Sequence, residues 1–425
     1  MSSKEWNDVL LEDVCSVITD GSHSSPPSVQ QGFYMASVKD MDKYKFNFEE
    51  CRMISEDDYQ KLVKNGCKPL VGDVLVGKDG AKYLDDVFVF NQQEEVVILS
   101  SIAILRPDKT KIMSEYLYYV LSDARTKNYI RSNYGSGSAI PRMVLKNFKR
   151  VSLNIPNLPI QKRIVTILSS LDNKIALNNR MNKVLEQMAQ ALFKQWFVDF
   201  EFPNGNDEPY KSSGGEMEWC EELGKEIPVG WNIHNISDLI ESVSKTYKFK
   251  NEEIIFLNTS DILEGEVLHN NYSPVMSLPG QAKKSIMKND ILYSEIRPAN
   301  KRFAYIDFDA DEYVVSTKLM VLRTTSYVDP VLIYFYLTNQ DNINYLQMVA
   351  ESRSGTFPQI TFQTFDSMSL AIGPETDMNQ LTEHLKSLFI KIRRNNKQNN
   401  YLSKLRDTLL PKLMSGEIDV SEIEL

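Results

Sequence analysis

Few residues in this chain are suited by type and spacing to do chemistry. Gly72-Asp-Val-Leu-Val-Gly77-Lys78-Asp79 comes within one residue of the phosphate-loop pattern G-x-x-x-x-G-K-[ST], whose free backbone N–H groups cradle phosphates while a hydroxyl holds Mg²⁺. Here Asp79 replaces the hydroxyl and would repel phosphate, and Val74-Leu-Val76 has the character of a strand, so a strand and turn are expected. His23 lies between serines in Asp20-Gly-Ser-His-Ser-Ser25, a base beside nucleophiles. Neighbours along a loop rarely reach catalytic geometry and no third group orients the imidazole, so turn chemistry is expected instead. Cys15, Cys51, Cys67 and Cys220 form no C-x-x-C pair, and His23, His234, His269 and His384 never approach H-E-x-x-H spacing, so neither a zinc site nor a disulfide framework is expected. No G-x-G-x-x-G and no N/D-P-P-Y/F/W motif is present to hold a dinucleotide or a methyl donor. The expectation is a chain without a catalytic site, metal or cofactor of its own.

Binding chemistry is easier to find. Residues 124–150 hold seven cations (Arg125, Lys127, Arg131, Arg142, Lys146, Lys149, Arg150) and no acid, with Tyr129 and Tyr134 interleaved and a GSGS stretch at 135–138. That composition suits a surface that tracks phosphates. The net charge of −9 argues the other way. It is unevenly spread: residues 1–157, 158–200, 201–227, 228–375 and 376–425 carry −1, +3, −6, −6 and +1.

The elements that position these groups follow from length and repetition. At 425 residues, with 42% apolar and 25% charged side chains, the chain is globular and needs two or more domains. Its longest apolar runs fall far short of the ~18–20 residues that cross a bilayer, and residues 1–7 carry no export signal, so a cytoplasmic protein is expected. Sliding the sequence on itself by 217 residues superposes Pro141 on Pro358, Phe148 on Phe365, and 14 of the 45 positions from 141 to 185 on identical residues. Weaker echoes lie upstream: Asp73-Val-Leu against Asp290-Ile-Leu, Leu105-Arg106 against Leu322-Arg323, and Trp6-Asn7 against Trp231-Asn232. Duplication is the simplest account. Each half reads as a mixed α+β module of short strands and tight turns, closed by a strand and followed by a long helix.

From Ile160 to Asp199 no Pro or Gly interrupts the chain, enough for a rod of about 60 Å. Heptad positions a and d hold Leu168, Ile175, Asn182, Ala189 and Trp196, and Leu171, Asn178, Leu185 and Leu192. Shifted by 217, the second helix places Leu385, Ile392, Asn399, Arg406 and Leu413 at a, and Leu388, Asn395, Leu402 and Leu409 at d. Antiparallel packing with partner numbers summing to 577 sets Ile175 against Leu402, Asn178 against Asn399 and Asn182 against Asn395. Buried Asn costs stability but can fix register. A parallel pairing also matches Asn to Asn, so the pattern alone leaves the direction open.

The whole chain resembles the specificity (S) subunit of type I restriction-modification enzymes. The resemblance is carried by Asp20-Gly-Ser-His-Ser-Ser-Pro26, Gly72-Asp-Val-Leu75 and the phrase Pro156-Asn-Leu-Pro-Ile-Gln-Lys-Arg163 before the first helix. Further carriers are Phe197-Val-Asp-Phe-Glu201, Lys211-Ser-Ser-Gly-Gly-Glu-Met217, Ile227-Pro-Val-Gly-Trp231 and Leu409-Leu-Pro-Lys-Leu-Met-Ser-Gly-Glu417. One departure stands out: Gly373-Pro-Glu-Thr-Asp377 precedes the second helix in place of a P-x-x-x-Q-x-x-I phrase. The resemblance implies an α+β fold of two tandem target-recognition domains, each followed by a long helix, the helices packed as an antiparallel coiled coil with pseudo-two-fold symmetry. The expected division is 1–157 and 231–375 for the recognition domains, 158–202 and 376–416 for the helices, 203–230 for a crossing linker and 417–425 for a tail.

The same resemblance implies a bacterial or archaeal chain that does no chemistry itself but reads a bipartite, asymmetric target in double-stranded DNA, the helical spacer setting the gap. Two methyltransferase (M) subunits and restriction/translocase (R) subunits are the implied partners, using S-adenosylmethionine, ATP and Mg²⁺. Charge and loop placement nominate Arg125, Lys127, Arg131, Arg142 and Lys146 for phosphates. His23, Lys78 and Lys82 in the first module and Lys248, Arg297, Lys301, Arg302 and Arg353 in the second are nominated for base edges. The alternative is a duplicated coiled-coil scaffold for protein partners that does not bind DNA, which the acidic second module would favour.

Overall fold

Strand Trp6–Leu10 pairs antiparallel with Ser152–Pro156, and Asn232–Asn235 pairs in the same sense with Ser369–Ile372. Each pairing brings the start of a module back to the strand that feeds a long helix. The computed structural model describes residues 6–80, 83–135, 141–325 and 327–423. These form two compact units, one of Met1–Asn178 with Lys397–Leu425 and one of Asn179–Asn396. The border therefore falls inside both long helices, Leu158–Phe197 and Glu375–Met414.

The first unit holds a four-stranded sheet in the order Cys15–Asp20, Ile102–Pro107, Val74–Gly77, Val87–Val89. The second repeats it with Ile240–Ser242, Leu319–Thr324, Ile291–Ser294 and Phe303–Tyr305. A second sheet accompanies each, of three strands in the first unit and four in the second. In it Phe33–Ala36 runs parallel to Val96–Ile98, and Glu253–Leu257 parallel to Tyr313–Ser316. The central strands are short apolar runs because both of their faces are covered: Val74, Leu75 and Val76, like Ile291 and Leu292, are fully buried. A helix pair follows the last sheet strand in each unit, Ser114–Ser122 with Ala124–Tyr134 and Pro330–Thr338 with Gln340–Arg353. The side chains of Asp123 and Asn339 cap the second helix of each pair by accepting from Arg125 N and Asp341 N.

Both modules build their cores on the long helices. In the first unit Ile160, Ile164, Val165 and Leu168 of one helix and Leu410 and Leu413 of the other join the module's core. In the second, Ala189, Phe193, Trp196 and Phe197 of one helix meet Leu381, Leu385 and Phe389 of the other in the same role. Within each unit the helices run antiparallel. Asp172 meets Arg406 at 2.7 Å, and Asn178 Nδ2 donates to Asn399 Oδ1 at 2.9 Å in the first unit. In the second, Asn395 Nδ2 donates to Asn182 Oδ1 at 2.7 Å. The second helix stops at Gly416, whose left-handed φ of +70° ends the turn, and a side chain there would press on the Trp6 ring at 3.1 Å.

The first turn of each helix docks differently, which accounts for the departure at residues 373–377. Gln161 is fully buried; its Oε1 accepts from Met113 N at 3.0 Å, and its Nε2 donates to Lys111 O at 3.0 Å and Pro156 O at 2.9 Å. The residue 217 positions on is Met378, which packs into the second core. Gly373 is required there for close approach, since a Cβ would sit 2.6 Å from the Trp231 ring. A polar latch has been replaced by an apolar one. Gln161→Leu should therefore lower stability in urea unfolding by about 2–4 kcal/mol, because it strands one buried N–H and two carbonyls. Met378→Leu, which conserves volume, should cost under about 1.5 kcal/mol.

Candidate nucleic-acid interface

In each module one loop leaves the central sheet strand, turns through left-handed backbone and returns. In the first module it follows Val74–Gly77 and in the second Ile291–Ser294. Positive φ recurs at three pairs of positions 217 residues apart: Gly72 and Asn289, Gly80 and Arg297, Leu84 and Lys301. The anchoring hydrogen bonds recur as well. Gly80 N donates to Pro141 O at 3.0 Å as Arg297 N donates to Pro358 O at 3.2 Å. Met143 N donates to Lys78 O and Ile360 N to Glu295 O, each at 2.9 Å. Lys78 N donates to Ser101 O as Glu295 N does to Lys318 O. The shared proline thus supplies the carbonyl that pins the loop.

At the start of each of these strands lies the same ion pair. Arg106 binds Asp73 through two 2.8 Å hydrogen bonds, and Arg323 binds Asp290 through two more of the same length. The guanidinium protons are held more tightly than usual, chiefly by those bonds. Each carboxylate also accepts from the backbone at the start of its strand, from Leu70 N and Met287 N. This two-pronged grip fixes the strand from which the loop springs.

The nominated residues divide into those held by the fold and those presented to solvent. Lys78 is buried, with Nζ 3.3 Å from Asp20 and 3.5 Å from Asp79. His23 is exposed and reaches the same Asp20 at 3.5 Å, so the structure brings His23, Lys78 and Asp20 together. Ser22 and Ser24 bond to each other, which is turn chemistry. Lys82 lies outside the described residues, as do residues 136–138 of the GSGS stretch. Arg131 donates to Tyr83 O and pairs with Asp85, and Lys127 donates to Asp85 O, so both brace the first loop. Burial pushes the Lys127 amine down. Arg125 pairs with Asp123 and donates to the carbonyl of Pro411, near the C-terminal end of the second long helix. Arg142 and Lys146 are exposed, with Lys149 and Arg150 beside them.

In the second module Arg302 donates to the carbonyls of Ser260 and Ile262, Lys301 pairs with Glu264 at 3.4 Å, and Arg353 donates to Thr361 Oγ1. Lys248 and Arg297 are exposed. Lys248 belongs to a patch whose other members were not nominated. Lys245, Lys248, Lys250 and Phe249 are all exposed along Lys245-Thr-Tyr-Lys-Phe-Lys250, with the Tyr247 and Phe249 rings edge to face at 5.2 Å. Alternation of cations and aromatics is the signal that would have found them.

This arrangement can bind and orient an anionic polymer. Among the described residues no group of three His, Cys, Asp or Glu side chains is placed to hold a metal ion. Burial pushes the Cys15 thiol up to about 12 and that of Cys51 to about 11, so neither is a thiolate nucleophile at neutral pH.

The sequence model of the type I restriction modification DNA specificity domain matches this chain twice, over residues 3–187 and 228–404. The chain is 40% identical to the type I restriction enzyme HindI specificity subunit of Haemophilus influenzae over 181 residues, which is 42% of this chain and 39% of that one. It is 27% identical to the MjaIX specificity subunit of Methanocaldococcus jannaschii over 326 residues, 74% of this chain and 71% of that one. In fold it is similar to the type I restriction-modification S subunit from M. genitalium, with a TM-score of 0.57, 13% identity and 97% of each chain covered.

The repeated ion pair makes a local prediction. Asp290→Asn should destabilise the second unit by about 2–3 kcal/mol, below the full cost of breaking a buried pair because Arg323 is 30% exposed. Hydrogen exchange should accelerate in Ile291–Ser294 and Leu319–Thr324 while the first unit keeps its protection.

Proposed function

The chain belongs to the type I restriction modification DNA specificity family, and from that premise we propose that each of its two modules reads one half of a bipartite, asymmetric target in double-stranded DNA. It is a DNA-recognition specificity subunit with duplicated recognition modules, and it is non-catalytic: methylation and cleavage belong to other subunits of its complex. Membership in such a complex implies DNA, methyltransferase and restriction partners. Our finer reading is that two methyltransferase subunits and one or more restriction/translocase subunits join it, supplying S-adenosylmethionine, ATP and Mg²⁺ chemistry. Such a target places the chain in the cytoplasm. Among the described residues no helix is long and apolar enough to cross a membrane.

The observation that carries the reading is recurrence. The family model matches once in each half, and the same loop is pinned in the same way in both modules. We assign phosphate contacts to Arg142, Lys146, Lys149 and Arg150 in the first module and to Lys245, Lys248 and Lys250 in the second, because these cations are exposed. Base reading is assigned to the pinned loops, with His23 beside the first. Lys127 and Arg131 then act by holding the first loop in place, and Arg125 by holding the C-terminal end of the second long helix. Since the border between units falls inside both helices, helix length is the natural determinant of the gap between half-sites.

Methylome sequencing of a host expressing the chain with its methyltransferase partner tests the reading: one bipartite motif is expected, and no sequence-specific modification would overturn it. Inserting four residues near Asn179, about one helical turn, should lengthen the unspecified gap and leave both half-sites unchanged. The triple variant Lys146→Ala, Lys149→Ala, Arg150→Ala should weaken binding by the assembled complex alike for all sequences. It should also reduce the slope of log K against log salt by about 2–3.

A further inference from the structure

Among the described residues seven other than glycine have a positive φ: Leu84, Phe200, Asp207, Glu264, Asn289, Arg297 and Lys301. A side chain in that conformation crowds the backbone, so each instance needs something to hold it there. For six of them the reason is visible. Leu84 and Phe200 are buried in the cores. Asn289 accepts from Tyr305 Oη at 2.9 Å, and Glu264 and Lys301 form an ion pair with each other. Asp207 sits in a tight turn, and aspartate is one of the few residue types at ease there.

Arg297 has no such support. Its φ is 45° and its ψ 78°, its side chain is exposed, and no described residue holds the guanidinium by a hydrogen bond or ion pair. The first module shows what the turn itself requires. The residue 217 positions earlier is Gly80, with a φ of +95° and its N–H on the matching proline carbonyl. A Cβ added at Gly80 would meet no described neighbour within 4 Å, so glycine is there for its backbone and not for want of space. The backbone around Arg297 is also held from both sides. Its N–H donates to Pro358 O, its carbonyl accepts from Asn300 N at 2.8 Å, and Ala299 N donates to Gln347 Oε1 at 3.1 Å.

We propose that Arg297 is a DNA-contacting residue of the second recognition module, retained at a position where the fold favours glycine because its guanidinium engages the second half-site. This rests on the function proposed above. A side chain that strains its own backbone and binds none of the described residues is explained by a partner outside the molecule. A pinned loop also presents the fork with little ordering left to do on binding. The acceptor is an oxygen or nitrogen of DNA, in a base edge or a phosphate.

The test uses the complete chain assembled with its methyltransferase partner. Arg297→Gly should leave the melting temperature unchanged or raise it by up to about 3 °C. It should lower affinity for the cognate target by about 10- to 100-fold and relax or abolish recognition in the second half-site only. Arg297→Lys should retain most of the affinity if the contact is a phosphate, and lose as much as the glycine variant if it is the two-pronged reading of a base edge. Gly80→Ala should lower the melting temperature by about 1–3 °C, and an increase would remove the premise that this turn disfavours side chains. The assignment is overturned if Arg297→Gly melts more than about 3 °C lower, since the side chain would then be structural. It is equally overturned if that variant keeps both its target and its affinity while the unmodified complex marks a bipartite motif. If the unmodified complex marks no such motif, the proposed function fails and the assignment with it.

Discussion

The constraint on which the structure depends is the antiparallel register of the two long helices within each unit. Neither module has a self-contained core: the first is completed by Leu168, Leu410 and Leu413, the second by Ala189, Trp196, Leu385 and Phe389. A helix pair that slipped would pull a wall out of each core. Buried amides guard against that, since Asn178 meets Asn399 and Asn182 meets Asn395, and a shifted register would set amides against hydrocarbon. Arginines on the second helix add a further check. Arg406 is held by Asp172, which also accepts from Tyr119 of the first module, and Arg393 is held by Glu266 and the carbonyl of Tyr305 in the second. The first of these ties joins helix to helix and module to helix at once, and the other fastens the second helix to its module.

Duplication has kept some physics and replaced the rest. The carboxylate–guanidinium pair at the start of the strand that leads to the loop, the proline carbonyl that pins the loop and the left-handed turn within it recur in both modules. These are the parts that place a loop in space. What differs is the side chains that the loop carries and how the module is fastened: Gly80 against Arg297, the buried Lys78 against Glu295, Gln161 against Met378. Recurrent backbone geometry with divergent side chains is the division expected of a reader copied once and set to two different texts. Three cations of the first module, Arg125, Lys127 and Arg131, make contacts within the chain, to the loop and the helix end that flank them.

Much of this was legible in the chain itself. The 217-residue shift, the two uninterrupted helices and the apolar seams are one-dimensional patterns, and secondary structure follows them because side-chain periodicity decides which face is buried. The faint echoes Asp73 with Asp290 and Arg106 with Arg323 were visible as identities, though nothing in their spacing of 33 residues said that they pair. The phosphate-loop look-alike resolved as a strand, as its β-branched residues indicated. Helix direction was not legible from the heptads, which match Asn to Asn either way.

The sequence by itself determined that the chain is two copies of one mixed module, each with its own long helix, because burial periodicity and repetition are properties of residue order. Only the tertiary structure decided which cations are spent inside the molecule and which are offered outside it. Charge is written in the sequence, but whether a guanidinium finds a carboxylate or a carbonyl depends on residues brought near from far along the chain. Arg125 and Arg297 look alike as letters. One is bound to Asp123 and the carbonyl of Pro411, while the other stands exposed on a turn whose counterpart is a glycine.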